Sequence, residues 1–473
     1  MTTSGLLTDL YELTMMQGYY LYGRNPEVVF DMFYRRPPFG AGFSVFAGLE
    51  EIVRRLGELS FSQEDLEYLD GLGLFHRKFL DMLASFRFNG TVYAMKEGTV
   101  VFPQEPLLRV HGTLIEAQLV ESMLLAIVNF QSLIATKAAR IYLASGGGNV
   151  IEFGLRRAQG LDGALSATRA AFIGGAAATS NTLAGKLYDI PVRGTMAHSW
   201  VMAFENELDA FEKYAALYPD QAILLIDTYD TLGSGVENAI RIGRKLKKQG
   251  KRLGVRLDSG DLEYLSKQCR RRLDDAGLQD ARIIVSNELN EEIIQQLVTA
   301  GSPIDSWGVG TQLVTGGNES AFSGVYKLAA KREGDRMIPT IKLSNNPEKT
   351  TTPAVKQVHR YYDSAGSPLG DLMTLDDEQL ENSGPVVFHH PMDENRRYVL
   401  RSYERSYPLL ELVMKSGKRV HEPAALTDLR ARALDGIRCL DDTYKRLINP
   451  HVYKVSLSGA LQGLKFSLVK AAS

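Results

Sequence analysis

The chain has 473 residues, 44% of them hydrophobic, which is enough for two cores because a single core stops growing near about 250–300 residues. Fifty-four basic residues against 56 acidic ones leave a formal net charge of −2 at pH 7, so no field of one sign points to nucleic acid or an anionic membrane. Cys269 and Cys439 stand far apart with no clustered Cys or His at ligand spacing, which argues against a disulfide framework and a Cys-rich zinc site and leads us to expect a reducing, cytoplasmic compartment.

The N-terminus, Met1-Thr2-Thr3-Ser4-Gly5, lacks a basic stretch followed by an apolar run, and no apolar stretch of about 18 residues is expected anywhere, so neither export nor a membrane span is predicted. Behind a cap at Thr8 or Asp9, apolar side chains recur every three or four positions through Leu10, Leu13 and Met16, the pattern of a helix. Thr91–Ala94, Val100–Phe102 and Leu107–Val110 are short β-like runs broken by Pro103 and Pro106. Residues 116–144 contain no proline or glycine and carry helical periodicity, which predicts a long helix.

Beyond Gly146 the chain repeats one rhythm: a short apolar run, a polar or glycine residue at its end, then a helical segment. The runs are Val150–Phe153, Ile223–Asp227, Leu253–Asp258, Ile283–Asn287 and Trp307–Gly310. The last four recur about 25–30 residues apart, the length of a strand, a crossover helix and two loops. Near-continuous apolar runs imply parallel strands covered on both faces. The fold class predicted is therefore α/β: an irregular TIM-like α/β barrel over 146–340, with a second, smaller mixed α/β domain over 1–145. An open doubly wound sheet is the competing architecture. Residues 342–353 read as a loop, and residues 355–415 as short strands expected to pack back onto the N-terminal domain, completing it over about 340–415. The extension 416–473 is mixed and suggests no role.

Several classes are excluded first. There is no Gly-x-x-x-x-Gly-Lys-Ser/Thr run, no His-Glu-x-x-His, no Gly-x-Ser-x-Gly, and Gly308-Val309-Gly310 lacks a third glycine at dinucleotide spacing. What remains lies at predicted strand exits. Arg156 and Arg157 follow Glu152-Phe153-Gly154 as carboxylate- or phosphate-matching forks, or as an arginine pair on a solvated helix start. Arg256, inside a short buried strand, must face a partner or a site; it either pairs structurally with Asp258 or joins it in lining a polyol or phosphate pocket. Asp227 and Asp230 end another strand, where capping accounts for one carboxylate. Gly310 and Thr311 allow backbone N–H groups close to an anion, or form an ordinary tight turn. His198 is a lone histidine at a further strand exit, either structural or catalytic. Together these groups ask for a ligand with a carboxylate, phosphates and hydroxyls.

In these motifs the chain resembles the nicotinate phosphoribosyltransferases. Thr8-Asp9-Leu10-Tyr11, Phe46-Ala47-Gly48-Leu49, Glu152-Phe153-Gly154-Leu155-Arg156-Arg157, Gly194-Thr195-Met196-Ala197-His198-Ser199, Gly254-Val255-Arg256-Leu257-Asp258-Ser259-Gly260-Asp261 and Gly308-Val309-Gly310-Thr311 occur in the family's order. The resemblance implies a type II phosphoribosyltransferase that joins nicotinate to phosphoribosyl pyrophosphate for NAD synthesis, coupled to ATP hydrolysis. It implies that Tyr11 and Phe153 sandwich the pyridine ring, with Arg156, Thr195 and Arg256 around the base and its carboxylate. Asp227 and Asp258 would approach the ribose hydroxyls or metal-bound pyrophosphate, and Gly310 and Thr311 the 5-phosphate. His198 would be the phosphorylated histidine, Mg²⁺ the cofactor with unassigned ligands, and ATP a co-substrate. A homodimer is implied, in which the Tyr11 segment reaches the neighbour's barrel.

Two departures stand out. Thr352-Pro353-Ala354 replaces a Pro-Gly common in the family, and the cysteine-rich tail of some relatives is missing. Met196 follows Thr195 where nicotinamide-specific relatives carry an aspartate, which favours an acid acceptor over an amide. The alternatives are a nicotinamide phosphoribosyltransferase, a quinolinate enzyme, disfavoured by its much shorter chain, and a catalytically silent ligand-binding protein on the same fold.

Overall fold

The computed structural model describes residues 3–346, 349–381 and 384–472. Met1 and Thr2 of the expected unleadered terminus, Pro347 and Glu348 of the expected loop, Asn382 and Ser383 within the expected short strands, and Ser473 lie outside the described residues. The chain divides into two compact units, Met1–Leu133 with Ala321–Ser473, and Ile134–Ser320.

The discontinuous unit is the larger of the two, not the smaller as expected, because the chain from Ala321 onward, including 416–473, belongs to it. One antiparallel sheet orders Arg336–Pro339, Gly324–Glu333, Glu27–Tyr34, Leu108–Thr113, Thr91–Ala94, Glu411–Lys415 and Lys418–Arg419. The pairing of Gly324–Glu333 with Glu27–Tyr34 is why the α/β unit ends at Ser320 and not near 340. A second sheet contains Pro368–Leu375 and Lys356–Tyr362, and Val455–Leu457 from the C-terminal extension pairs with the first of these. The core of this unit is aromatic and aliphatic, with Met16, Met32, Tyr34, Phe46 and Phe79 fully buried.

The predicted N-terminal helix is Leu10–Leu21. Asp9 occupies the cap position but makes no side-chain cap; its carboxylate instead accepts from Ser122 Oγ at 2.7 Å. Thr8 donates to the Leu119 carbonyl at 3.3 Å, so the segment before the helix is pinned at two points. The predicted long helix is two, Leu114–Leu119, opened by a Thr113–Glu116 capping box, and Glu121–Ala144.

The run Leu114–Ala144 corrects one expectation. At 31 residues with a window of hydropathy 1.6, it is long and apolar enough to cross a membrane by length and composition. Yet 61% of that window is buried inside the protein, and Lys137 and Arg140 on it pair with the buried Glu291 at 2.6 and 2.9 Å. These are the marks of a core helix.

The loop departure has a structural consequence. Ala354 sits at φ 74°, the left-handed region where a Cβ costs roughly 1–2 kcal/mol and glycine fits without strain. The Ala354 carbonyl accepts from the buried Lys356 ammonium at 2.7 Å, which fixes the turn. Ala354→Gly is expected to stabilise the protein by about 1 kcal/mol, the strain relieved less the added freedom of the unfolded chain. Denaturant melts of the two proteins check this; a destabilised variant would contradict it.

The second unit is a parallel sheet wrapped by helices. Its strands are β1 (Asn149–Glu152), β2 (Ala178–Thr179), β3 (Ile223–Leu225), β4 (Gly254–Leu257), β5 (Arg282–Val285) and β6 (Ser306–Val309). The hydrogen-bonded order is β3-β4-β5-β6-β1-β2, all parallel, and Val192 adds an isolated parallel bridge to Thr179. The ladder has two edges, but Ile223 at one and Pro191 and Arg193 at the other line a single cavity of about 600 Å³. The sheet is therefore curled, and successive residues alternate between that lumen and the surrounding helices.

Candidate active site

Parallel strands deliver their C-terminal ends to one rim, and here the rim collects the polar residues. Glu152, buried at the end of β1, sets the first exit: its carboxylate accepts from the Gly154 N–H, from Thr179 Oγ1 at 2.6 Å and from Thr168 Oγ1 at 3.0 Å. That anchor fixes Phe153 in the lumen. Gly308 on β6 lies beneath the ring, where a Cβ would stand 2.6 Å from two Phe153 ring carbons. Glycine is required there by contact, not by backbone angle.

Arg256 occupies an inward position of β4. Its guanidinium donates from Nε to Ser286 Oγ at 3.0 Å, and from Nη1 to Thr195 Oγ1 at 2.7 Å and to the Met196 carbonyl at 3.2 Å. Nη2 lies 3.4 Å from Asp258 Oδ2, and the Phe153 ring centroid is 6.0 Å from Arg256 Cζ. Arg156, in the one-turn 3-10 helix Leu155–Arg157, is exposed and lines a pocket of about 470 Å³ together with Phe153, Thr195, Met196 and Arg256. The volume suits a small organic ligand.

Asp258 also faces His198, with Nε2 3.8 Å from Oδ2, while His198 Nδ1 contacts Thr228 Oγ1 at 3.1 Å. The histidine opens the short helix His198–Met202, and its side chain is 43% exposed. Asp227 accepts from the Asp258 N–H at 2.9 Å and from Ser259 Oγ at 2.6 Å through Oδ2, leaving Oδ1 buried with no hydrogen-bond partner among the described residues. A buried carboxylate oxygen with an empty lone pair is costly unless something fills it. The sequence left open which carboxylates cap helices, and geometry decides: Asp230 accepts from Leu232 N and Gly233 N, and Asp261 from Tyr264 N, whereas Asp227 and Asp258 face the rim.

Gly310 and Thr311 follow β6, and the Thr311 hydroxyl donates to Glu288 at 3.3 Å. Tyr11 belongs to the other unit, on the pinned helix Leu10–Leu21, with half its surface exposed. Burial of its phenol, reinforced by the Glu12 carboxylate, holds that hydroxyl protonated well above the usual tyrosine range. The α/β unit thus gathers Phe153, Arg156, Thr195, His198, Arg256, Asp227 and Asp258. It adds Ser286 and Thr228, which the sequence did not single out; their one signal was a hydroxyl at a strand exit. Cys269 plays no part: it is buried, and burial pushes its thiol up to about 12.

Comparison with known proteins accords with this geometry. Three family profiles match in order: the nicotinate phosphoribosyltransferase N-terminal domain over residues 6–129, the nicotinate phosphoribosyltransferase family over 149–366, and the C-terminal domain over 355–465. A nicotinate phosphoribosyltransferase of Bacillus subtilis is 44% identical over 457 residues, covering 96% of this chain and 92% of the relative. The chain belongs to the nicotinate phosphoribosyltransferase family. It is thus a phosphoribosyltransferase of NAD biosynthesis, and the reading as a silent binding protein falls away.

A crystal structure of human nicotinic acid phosphoribosyltransferase has the same fold at a TM-score of 0.85 and 32% identity, with 98% of this chain and 99% of that one covered. A nicotinate-nucleotide pyrophosphorylase from Pyrococcus furiosus, 24% identical over 92% of this chain and 95% of its own, shares the fold at a TM-score of 0.70. In this enzyme Met196 turns its backbone carbonyl, not its side chain, to Arg256. Its buried thioether offers no negative charge to repel an acid acceptor.

Proposed function

We propose that the enzyme forms nicotinate mononucleotide and pyrophosphate from nicotinate and phosphoribosyl pyrophosphate, and that hydrolysis of ATP to ADP and phosphate at His198 drives the reaction. The pyridine nitrogen attacks C1 of the ribose as the C1–O bond to pyrophosphate breaks, and both electrons of that bond leave with the pyrophosphate. The observation that carries the reading is the pocket in which Phe153 offers a flat face beside two guanidiniums, Arg156 and Arg256, matched to an aromatic ring bearing a carboxylate. Thr195 holds the second guanidinium at the depth of the ring.

Asp227 and Asp258 take the donor. Among the described residues no three His, Cys, Asp or Glu side chains converge as a ready metal cage. Mg²⁺ characteristically binds through one or two carboxylates plus substrate phosphates, so the unpartnered Asp227 Oδ1 with Asp258 fits a cation that arrives with the pyrophosphate. When bound, Mg²⁺ neutralises charge on the leaving group. The 5-phosphate is assigned to Gly310 and Thr311, which requires the Thr311 hydroxyl to leave Glu288. His198 accepts the γ-phosphoryl of ATP on a ring nitrogen, Thr228 and Asp258 orient the imidazole, and water later removes the phosphoryl group.

A homodimer with shared sites belongs to the same proposal. Leu7, Leu10 and Tyr11 are each about half exposed near the pinned N-terminus, an apolar strip suited to burial against a second copy, where Tyr11 would complete the ring sandwich. A cytoplasmic location is supported by two free cysteines. Product analysis tests the whole reading: nicotinate mononucleotide, pyrophosphate, ADP and phosphate should accumulate together. Mononucleotide formed without ADP would remove the ATP step.

A further inference from the structure

We propose that Ser286 is a positioning residue that ties the acceptor subsite to the donor subsite, so that the phosphoribosyl donor raises the affinity for nicotinate. The inference rests on the roles given above to Arg256 and Asp258. An arginine has five N–H groups, and a carboxylate is gripped best by two parallel ones. In this structure three of the Arg256 N–H groups donate to protein acceptors, Ser286 Oγ, Thr195 Oγ1 and the Met196 carbonyl, while Nη2 forms an ion pair with Asp258 Oδ2 at 3.4 Å. Nε and Nη1 are therefore engaged, and the one nitrogen left, Nη2, faces the Asp258 carboxylate, so without donor no two-nitrogen fork is open to nicotinate.

Ser286 is 4% exposed and its single hydroxyl works in both directions, accepting from Arg256 Nε at 3.0 Å and donating to Asp258 Oδ1. The other Asp258 oxygen, Oδ2, is the one that holds Arg256 Nη2 at 3.4 Å. A donor that draws Oδ2 toward its hydroxyls or its metal-bound pyrophosphate frees Nη2 from that carboxylate and leaves it to the carboxylate of the acceptor. Ser286 meanwhile keeps Nε and Oδ1 in place, so the guanidinium is freed without swinging. The next residue, Asn287, stands at φ 114°, a conformation L side chains rarely adopt and one that persists only where surrounding contacts over-determine it. The strained turn and the two-way hydroxyl occur at the same strand exit.

The test uses the full-length enzyme with Mg²⁺ and ATP, measuring initial pyrophosphate release over a grid of nicotinate and donor concentrations. For the wild type, the apparent KM for nicotinate is expected to fall about fivefold or more between low and saturating donor, the usual scale of a coupling between two sites. In Ser286→Ala that ratio should approach one, and in Ser286→Thr, which keeps the hydroxyl, it should return toward the wild-type value. A purely structural role would lower activity without changing the ratio, so an unchanged ratio in Ser286→Ala overturns the proposal. Calorimetric titration of nicotinate into the wild type, with and without magnesium pyrophosphate, gives a second reading that needs no variant: tighter binding with it supports the coupling, equal affinities overturn it. Should the wild type release no pyrophosphate with nicotinate at all, the parent reading fails and takes this inference with it.

Discussion

His198→Ala is expected to abolish the stimulation of transfer by ATP while leaving slow, ATP-independent formation of nicotinate mononucleotide. The imidazole meets Thr228 and Asp258, whereas Arg256 donates to Thr195, Ser286 and the Met196 carbonyl, so its loss spares the hydrogen bonds that hold the group assigned to the acceptor. What disappears is the link between phosphoryl transfer and donor binding, a coupling of about 5- to 150-fold on the common scale of 1–3 kcal/mol. Initial rates with and without ATP measure it directly. A variant that responds to ATP as the wild type does would remove His198 from the phosphoryl step.

The second large effect is that of Arg256→Ala. Truncating one partner of a desolvated, hydrogen-bonded charge pair costs about 2–5 kcal/mol, much of it from the groups left behind. Here those groups are Asp258 Oδ2, Ser286 Oγ, Thr195 Oγ1 and the Met196 carbonyl. The nicotinate dissociation constant should rise by at least about 30-fold, from the lower end of that range at 1.4 kcal/mol per tenfold. Arg256→Lys should recover little, because one ammonium cannot reproduce a planar fork that reaches three acceptors at once. Nicotinate binding left at the wild-type level in Arg256→Ala would transfer the carboxylate to Arg156 alone.

The α/β unit was readable because its signals are local. Each of β3 to β6 is an apolar run ending in a residue of the rim, and a strand buried on both faces writes itself as such a run. The two-residue β2 carries no run and was missed. The other unit was harder, for a physical reason: Gly324–Glu333 becomes a strand by pairing with Glu27–Tyr34, nearly 300 residues earlier, and no local periodicity encodes a partner so distant. The same holds for Val455–Leu457, which made the C-terminal extension illegible.

At the site, residue types told which groups were out of place, such as Arg256 in a buried strand, but not what they touch. The sequence offered a structural Arg256–Asp258 pair and a ligand pocket as alternatives, and the geometry has both: Arg256 lines the pocket while its Nη2 lies 3.4 Å from Asp258 Oδ2. Ser286 was invisible for the opposite reason: a serine at a strand end is ordinary until its hydroxyl is found between a guanidinium and a carboxylate.

The measurement that tests the account most directly is initial pyrophosphate release by the purified enzyme given phosphoribosyl pyrophosphate and Mg²⁺, with nicotinate, nicotinamide or quinolinate, each with and without ATP. The account predicts release with nicotinate alone among the three, accelerated by ATP. Release with nicotinamide at a comparable rate, or none with nicotinate under either condition, would contradict it.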